Sequence, residues 1–189
     1  MPNQYLHLHS VLLMYCAYSA LTGGLIVWLF RHRMDRSVAY VTTASALMSL
    51  VAVLTAGQPY LAPMYFRAAA PLLVVANMLF ACSYLSLANP DSARRQALAA
   101  PLVGVALLVG LEWVRPALSQ SQWTVLLSTI QSAVSLWVLT TLLKTHRLLP
   151  SNQLTLPIVA LAAGSAALWL LRVPIVIGLD QSRFVMDST

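Results

Sequence analysis

The sequence predicts an all-α polytopic membrane protein, a bundle of six transmembrane helices, and three observations predict it. Hydrophobic residues make up 59% of the chain and charged residues only 8%, with a mean hydropathy of +0.76. A soluble domain carries about a quarter charged residues. Apolar runs of about 20 residues, enough to cross a bilayer as a helix, recur six times and use roughly two thirds of the chain. The basic residues stand in ones, twos and threes between those runs, as they do in membrane proteins oriented by their loops. Together these exclude a water-soluble globular, disordered, collagen-like or disulfide-stapled protein.

The first span covers about residues 10–30. Nothing basic precedes it, while Arg31, His32, Arg33 and Arg36 follow it. A cleaved signal peptide has the opposite polarity, so this segment is expected to stay in the membrane with its N-terminus outside. The second span, 37–56, is closed by the turn-like Gly57-Gln58-Pro59. The third, 63–87, ends at Asn89-Pro90-Asp91, a strong stop signal. The remaining spans are 96–114, 123–143 and 154–178. Residues 1–189 read as a single transmembrane domain, without a soluble domain, a low-complexity linker or a coiled-coil heptad. No internal repeat supports an inverted-repeat transporter.

Orientation follows from counting basic residues. The odd-numbered loops hold seven (Arg31, Arg33 and Arg36; Arg94 and Arg95; Lys144 and Arg147), whereas the other side has Arg67, Arg115 and Arg183. Seven against three places the odd loops in the cytoplasm and both termini outside. The same scatter argues against nucleic acid as the partner of the formal charge of +6, because no basic patch gathers to meet phosphates. The lipid bilayer is the partner this distribution fits.

Helix association in lipid relies on close packing of small residues. Pairs four apart share a helix face: Ser19 and Gly23, Ala20 and Gly24, Ala100 and Gly104, Ala106 and Gly110, Ala160 and Gly164. They support a compact bundle.

Ionisable groups inside a span are costly and face protein or a water cavity. Arg172 lies six residues before Gly178, about 9 Å inside the outer end of the sixth span. Glu112, near the outer end of the fourth span, and Arg67, near the outer start of the third, lie at similar depth. One reading has Arg67 snorkelling to the headgroups and Glu112 pairing with Arg115, one turn on. The other is an outward-facing pocket in which Arg172 and Arg67 receive an anionic small ligand, with Glu112 as their partner when the site is empty. Asn77 and Gln131 complete the candidate ligand-binding set. Asn77 is the lone amide of the third span. Gln131 belongs to a polar stripe of Thr124, Ser128, Gln131, Ser132 and Ser135 that lines either a helix interface or a narrow wet cavity. Thr42, Ser45 and Ser49 form a weaker stripe in the second span. Pro71, Pro101, Pro157 and Pro174 would locally weaken or kink their helices.

No metal or cofactor is implied. His7 and His9 would project about 200° apart on a helix, a poor arrangement for a shared metal. His32 and His146 fall in basic loops, and no span has an interior histidine to ligate a haem. Cys16 and Cys82 lie inside apolar runs at no zinc or redox spacing and read as small core residues. No nucleophile–base constellation, glycine-rich phosphate loop or carboxylate dyad is present, so the chain has no visible catalytic residues.

The order of features resembles the N-terminal multi-helix membrane sensor regions that precede cytoplasmic GGDEF diguanylate cyclase domains in bacteria. The resemblance is spread over most of residues 6–178. It is carried by Arg31-His32-Arg33 after the first span, Gly57-Gln58-Pro59 after the second, Ala76-Asn77-Met78-Leu79-Phe80 matching a common "AN-x-L" core, and Leu170-Leu171-Arg172 near the end. It implies a sensory input module in the bacterial inner membrane. It also implies a homodimer, because such cyclases join two catalytic domains across an interface, and a downstream cyclase domain reached through a seventh helix. This chain has neither that helix nor a GGDEF motif. Two rival readings stand beside it: a complete small six-helix transporter or channel, and a structural subunit of a larger membrane complex.

Overall fold

A computed structural model describes residues 35–56 and 67–148, with isolated helical positions at 17, 20, 21, 24, 25, 28, 163, 164, 166, 167, 170, 171 and 174. Among the described residues the regular structure is wholly helical. It comprises α1 (Arg36–Ala56), α2 (Ala69–Ala88), α3 (Pro90–Val114), a single 3-10 turn (Arg115–Ala117) and α4 (Gln120–Leu148). All four α-helices are long and apolar enough to cross a membrane. The structure thus gives four spans where the sequence predicted six. The first predicted span (10–30) and the sixth (154–178) fall mostly on residues outside those described.

The helix boundaries come from local chemistry. Asp35 caps α1: its Oδ1 accepts the Val38 N–H at 3.1 Å, and its carbonyl accepts the Ala39 N–H. The third span begins at Ala69, six residues later than predicted, although Arg67 just before it is already helical. The fourth begins six residues earlier than predicted. Asn89-Pro90-Asp91 ends α2 and starts α3 in one step, since Asn89 Oδ1 accepts the Ser92 N–H at 3.0 Å and Pro90 opens the first turn. Proline suits that position, where its missing N–H has no helical partner to lose. Arg94 and Arg95, expected in a loop, therefore sit in helix. The fifth span extends to Gln120–Leu148, taking in Lys144 and Arg147. Its start is a capping box: Gln122 Oε1 accepts the Ser119 N–H at 2.9 Å while Ser119 Oγ accepts the Gln122 N–H at 3.3 Å.

The chain divides into two compact units, Met1–Leu108 and Val109–Thr189, with the boundary inside α3. In the first unit α2 is the central element, with 44% of its apolar window buried against 6% for α3. Helices α1 and α2 run antiparallel. Ser37, at the start of α1, donates to the Ser83 carbonyl near the end of α2 at 2.7 Å, and farther along Ala44 packs with Leu79 and Ala100. Helix α3 folds back along α2 through Asn89 alone. The two helices come close at Gly104, where an added Cβ would meet Val75 Cγ2 at 2.6 Å. Ala100 and Gly104 are thus the predicted small pair that seats one helix on another. The other pairs are not seen doing so. Ala106 and Gly110 are exposed, nothing lies near a Cβ at Gly24, Gly110 or Gly164, and Ser19, Gly23 and Ala160 lie outside the described residues.

Another face of α3, which borders the helix junction at Leu98 and Val105, is inside-out by soluble standards. Leu98, Leu102, Val105, Val109 and Trp113 recur at three- and four-residue steps and are all exposed, Trp113 at 85%. A continuous exposed apolar stripe of this kind marks a membrane or partner surface, and with four apolar helices it suggests a membrane protein. In the second unit α4 buries Ser128, Gln131, Ser135, Val138, Leu142 and Thr145, again one face at three- and four-residue steps, and that face is largely polar.

Candidate functional site

Helix hydroxyls and amides set what each unit can do, and most hydroxyls are satisfied within their own helix. In α1, Thr43, Ser45, Ser49 and Thr55 donate to the carbonyl four residues back, at 2.7–3.1 Å. In α4, Ser132 donates to the Ser128 carbonyl at 2.8 Å and Thr145 to that of Thr141 at 2.9 Å. A hydroxyl that returns its proton to the previous turn can sit in an apolar medium without a ligand or water. The stripe predicted in the fifth span is accordingly an internal face: Ser128, Gln131, Ser132 and Ser135 are buried and Thr124 is half-buried.

The predicted ligand-binding residues are distributed over both units. Arg67 is half-buried just before α2, with its Nε enclosed. Asn77 is half-buried midway along α2. Glu112, half-buried on the last turn of α3, and Gln131 belong to the second unit. Arg172 lies outside the described residues. Arg115, considered as a partner for Glu112, places its guanidinium over the Trp123 ring, 5.2 Å from the centroid. That cation–π contact joins the 3-10 turn to the first turns of α4.

Sequence reasoning missed a groove of about 500 Å³ in the first unit, formed where α1, α2 and α3 meet. Its lining is apolar except for Thr43, whose hydroxyl is already bonded to Ala39 O. Pro71, Pro101 and Gly104 all line it. Pro101, inside α3, lacks the N–H that would tie its turn to the previous one, whereas Pro71 lies in the first turn of α2, where that N–H has no helical partner to lose. The glycine brings two helices together without filling the space beside them. A second cavity of about 400 Å³ adjoins it and shares Thr43, Leu79 and Ala97; its own lining includes Arg36, Tyr40 and Arg94. The available signal was the coincidence of Pro71, Pro101 and Gly104 on facing helices, which needs the helix pairing to be recognised.

Cys82 is a fully buried free thiol among the small residues of α2, fitting its reading as core. Among the described residues, His, Cys, Asp and Glu form no group of three that could hold a metal ion. The chain matches no protein-family model, no curated protein and no solved structure.

Proposed function

We propose that the chain is a sensory input module of the bacterial inner membrane, a six-span bundle with both termini outside. The seven-to-three imbalance of basic residues supports this orientation. Arg172, Arg67 and Glu112 form the outward-facing receiver for an anionic small ligand, with Asn77 and Gln131 as further polar contacts. The output is control of a cytoplasmic diguanylate cyclase domain beyond the seventh helix, in a homodimer. The resemblance of residues 6–178 to such sensor regions supports that output.

One observation carries the sensory reading: the groove between α1, α2 and α3, bordered by Pro101, the proline inside α3. Its volume is that of a ligand pocket, typically about 300–1,000 Å³. In this reading the unfilled space beside the proline-interrupted turn of α3 is the room for a second packing. A ligand that binds one packing better than the other shifts the population between them, and only that difference in affinity is transmitted. Ser132, whose hydroxyl is bonded within its own helix, is the stripe residue that speaks against the transporter reading, which would set such groups along a path for solute.

The test is cyclic di-GMP in cells carrying the gene that encodes this segment. Arg172→Leu and Leu108→Trp, the second filling the groove, are expected to change its level with membrane content unaltered. An unchanged level in both variants at normal expression would overturn the proposal. Solute flux in proteoliposomes would then replace it with a transporter.

A further inference from the structure

We propose that the groove among α1, α2 and α3 binds an anionic phospholipid of the cytoplasmic leaflet, with one acyl chain in the apolar trough and the phosphate held between Arg36 and Arg94. The inference rests only on the membrane reading of these helices and is independent of the signalling output.

Four features converge on this occupant. The two cavities adjoin, sharing Thr43, Leu79 and Ala97 in their linings, so an apolar trough lies beside a basic mouth. The trough follows α3 from Ala97 to Leu108, a rise of roughly 16 Å. One leaflet contributes about half of a 30 Å hydrocarbon core, so trough and leaflet match in depth. The mouth lies where headgroups would be: Arg36 opens α1, Arg94 sits in the second turn of α3, and both helices begin at this end. Two helix N-termini add partial positive charge facing the same way. Finally, among the described residues the mouth is lined by two guanidiniums and no carboxylate. The nearby Asp35 is occupied as the α1 cap, and Asp91 is exposed in the first turn of α3.

The remaining chemistry fits an amphiphile rather than a soluble anion. Tyr40 lines the mouth with an apolar ring and a polar tip, as side chains at the headgroup level do. Thr43 has its hydroxyl bonded to its own helix, so the one polar side chain among the described lining residues of the trough is satisfied. Basic pockets between transmembrane helices on the cytoplasmic side are a recurrent way of holding anionic headgroups.

The test is lipid titration of the detergent-purified full chain, read by native mass spectrometry, with phosphatidylglycerol and phosphatidylcholine. Phosphatidylglycerol should be retained at least tenfold better. Each arginine near an anionic surface contributes about fivefold in affinity, so Arg36→Gln with Arg94→Gln should weaken it about twentyfold. Lys144→Gln with Arg147→Gln removes the same charge elsewhere and should change it less than twofold. Val105→Trp, which fills the trough, should weaken both lipids. Soluble glycerol phosphate should not compete. Equal loss in the two charge-matched pairs would reduce the effect to diffuse surface charge and overturn the site. Unaltered binding by Val105→Trp, or full competition by glycerol phosphate, would overturn the lipid as its occupant. Carbonate extraction distinguishes failures: a chain washed off membranes refutes the membrane reading, whereas one that stays and ignores phosphatidylglycerol refutes only the lipid site.

Discussion

The two compact units bury opposite kinds of residue. The first is held by small apolar groups: Ala44, Val74, Ala76, Ala81, Cys82 and Ala100 are all nearly inaccessible, and Ser83 is the one buried polar residue among its described positions. In the second, α4 turns inward Ser128, Gln131, Ser132, Ser135, Thr141 and Thr145. In water a polar interior of this size would be expensive beside an apolar one. In lipid the hydrocarbon outside is as apolar as leucine, so burying apolar surface drives little, and what counts is close contact and satisfied polar groups. The first unit shows close packing, and hydroxyls bonded within their own helix serve both, Thr43, Ser45, Ser49 and Thr55 in the first and Ser132 and Thr145 in the second.

Substitutions at matched positions should show the difference, beginning with close packing. Gly104→Ala drives a methyl group into Val75, whose branched side chain has little rotamer freedom in a helix. It should cost about 1–3 kcal/mol in detergent unfolding. Val75→Ala in the same chain should recover most of that loss, and a Gly104→Ala protein of wild-type stability would refute the tight α2–α3 contact. Next in size is the cap of the polar unit: Ser119→Ala removes half of the capping box and should cost about 1 kcal/mol. Hydrogen exchange should then rise in the first turn of α4 and leave α1 to α3 unchanged. Smaller still is Ser132→Ala. Its hydroxyl donates to its own helix, so its loss should cost no more than about 0.6 kcal/mol, the average for side-chain hydrogen bonds between membrane helices. A loss above about 2 kcal/mol would mean that this hydroxyl is holding another helix. The smallest effect belongs to Gly110→Ala, where nothing lies within 4 Å of the added carbon. Stability should stay constant or rise by up to about 1 kcal/mol from helix propensity, so together with Gly104→Ala it separates a packed small residue from one that merely occurs at the same spacing.

How far the sequence was legible varied with the element. Helix α1 begins at Arg36 and ends at Ala56, against a predicted 37–56, because basic and glycine-proline borders flank a clean apolar run. The start of α3 was misplaced by six residues. Hydropathy sees Asp91, Arg94, Arg95 and Gln96 as loop, while the backbone sees an asparagine cap and a first-turn proline. The early start of α4 had its own signature in Ser119-x-x-Gln122, which hydropathy also passes over. The stripe of Thr124, Ser128, Gln131, Ser132 and Ser135 was visible from its period, as were the five small-residue pairs.

What the sequence determined alone was chemistry that depends on neighbours in the chain: helical class, apolar spans, caps, and the faces on which polar and small residues fall. These follow from the 3.6-residue period and from backbone groups that must be bonded locally in an apolar medium. What the tertiary structure decided was which of those faces meet. Of the three small-residue pairs that lie wholly on described residues it set Ala100 and Gly104 against a neighbouring helix, and it sent the polar stripe of α4 inward and brought Pro71, Pro101 and Gly104 around one groove beside Arg36 and Arg94. The spacing of a pattern says which residues share a face, but contact between helices depends on shape across residues far apart in the chain.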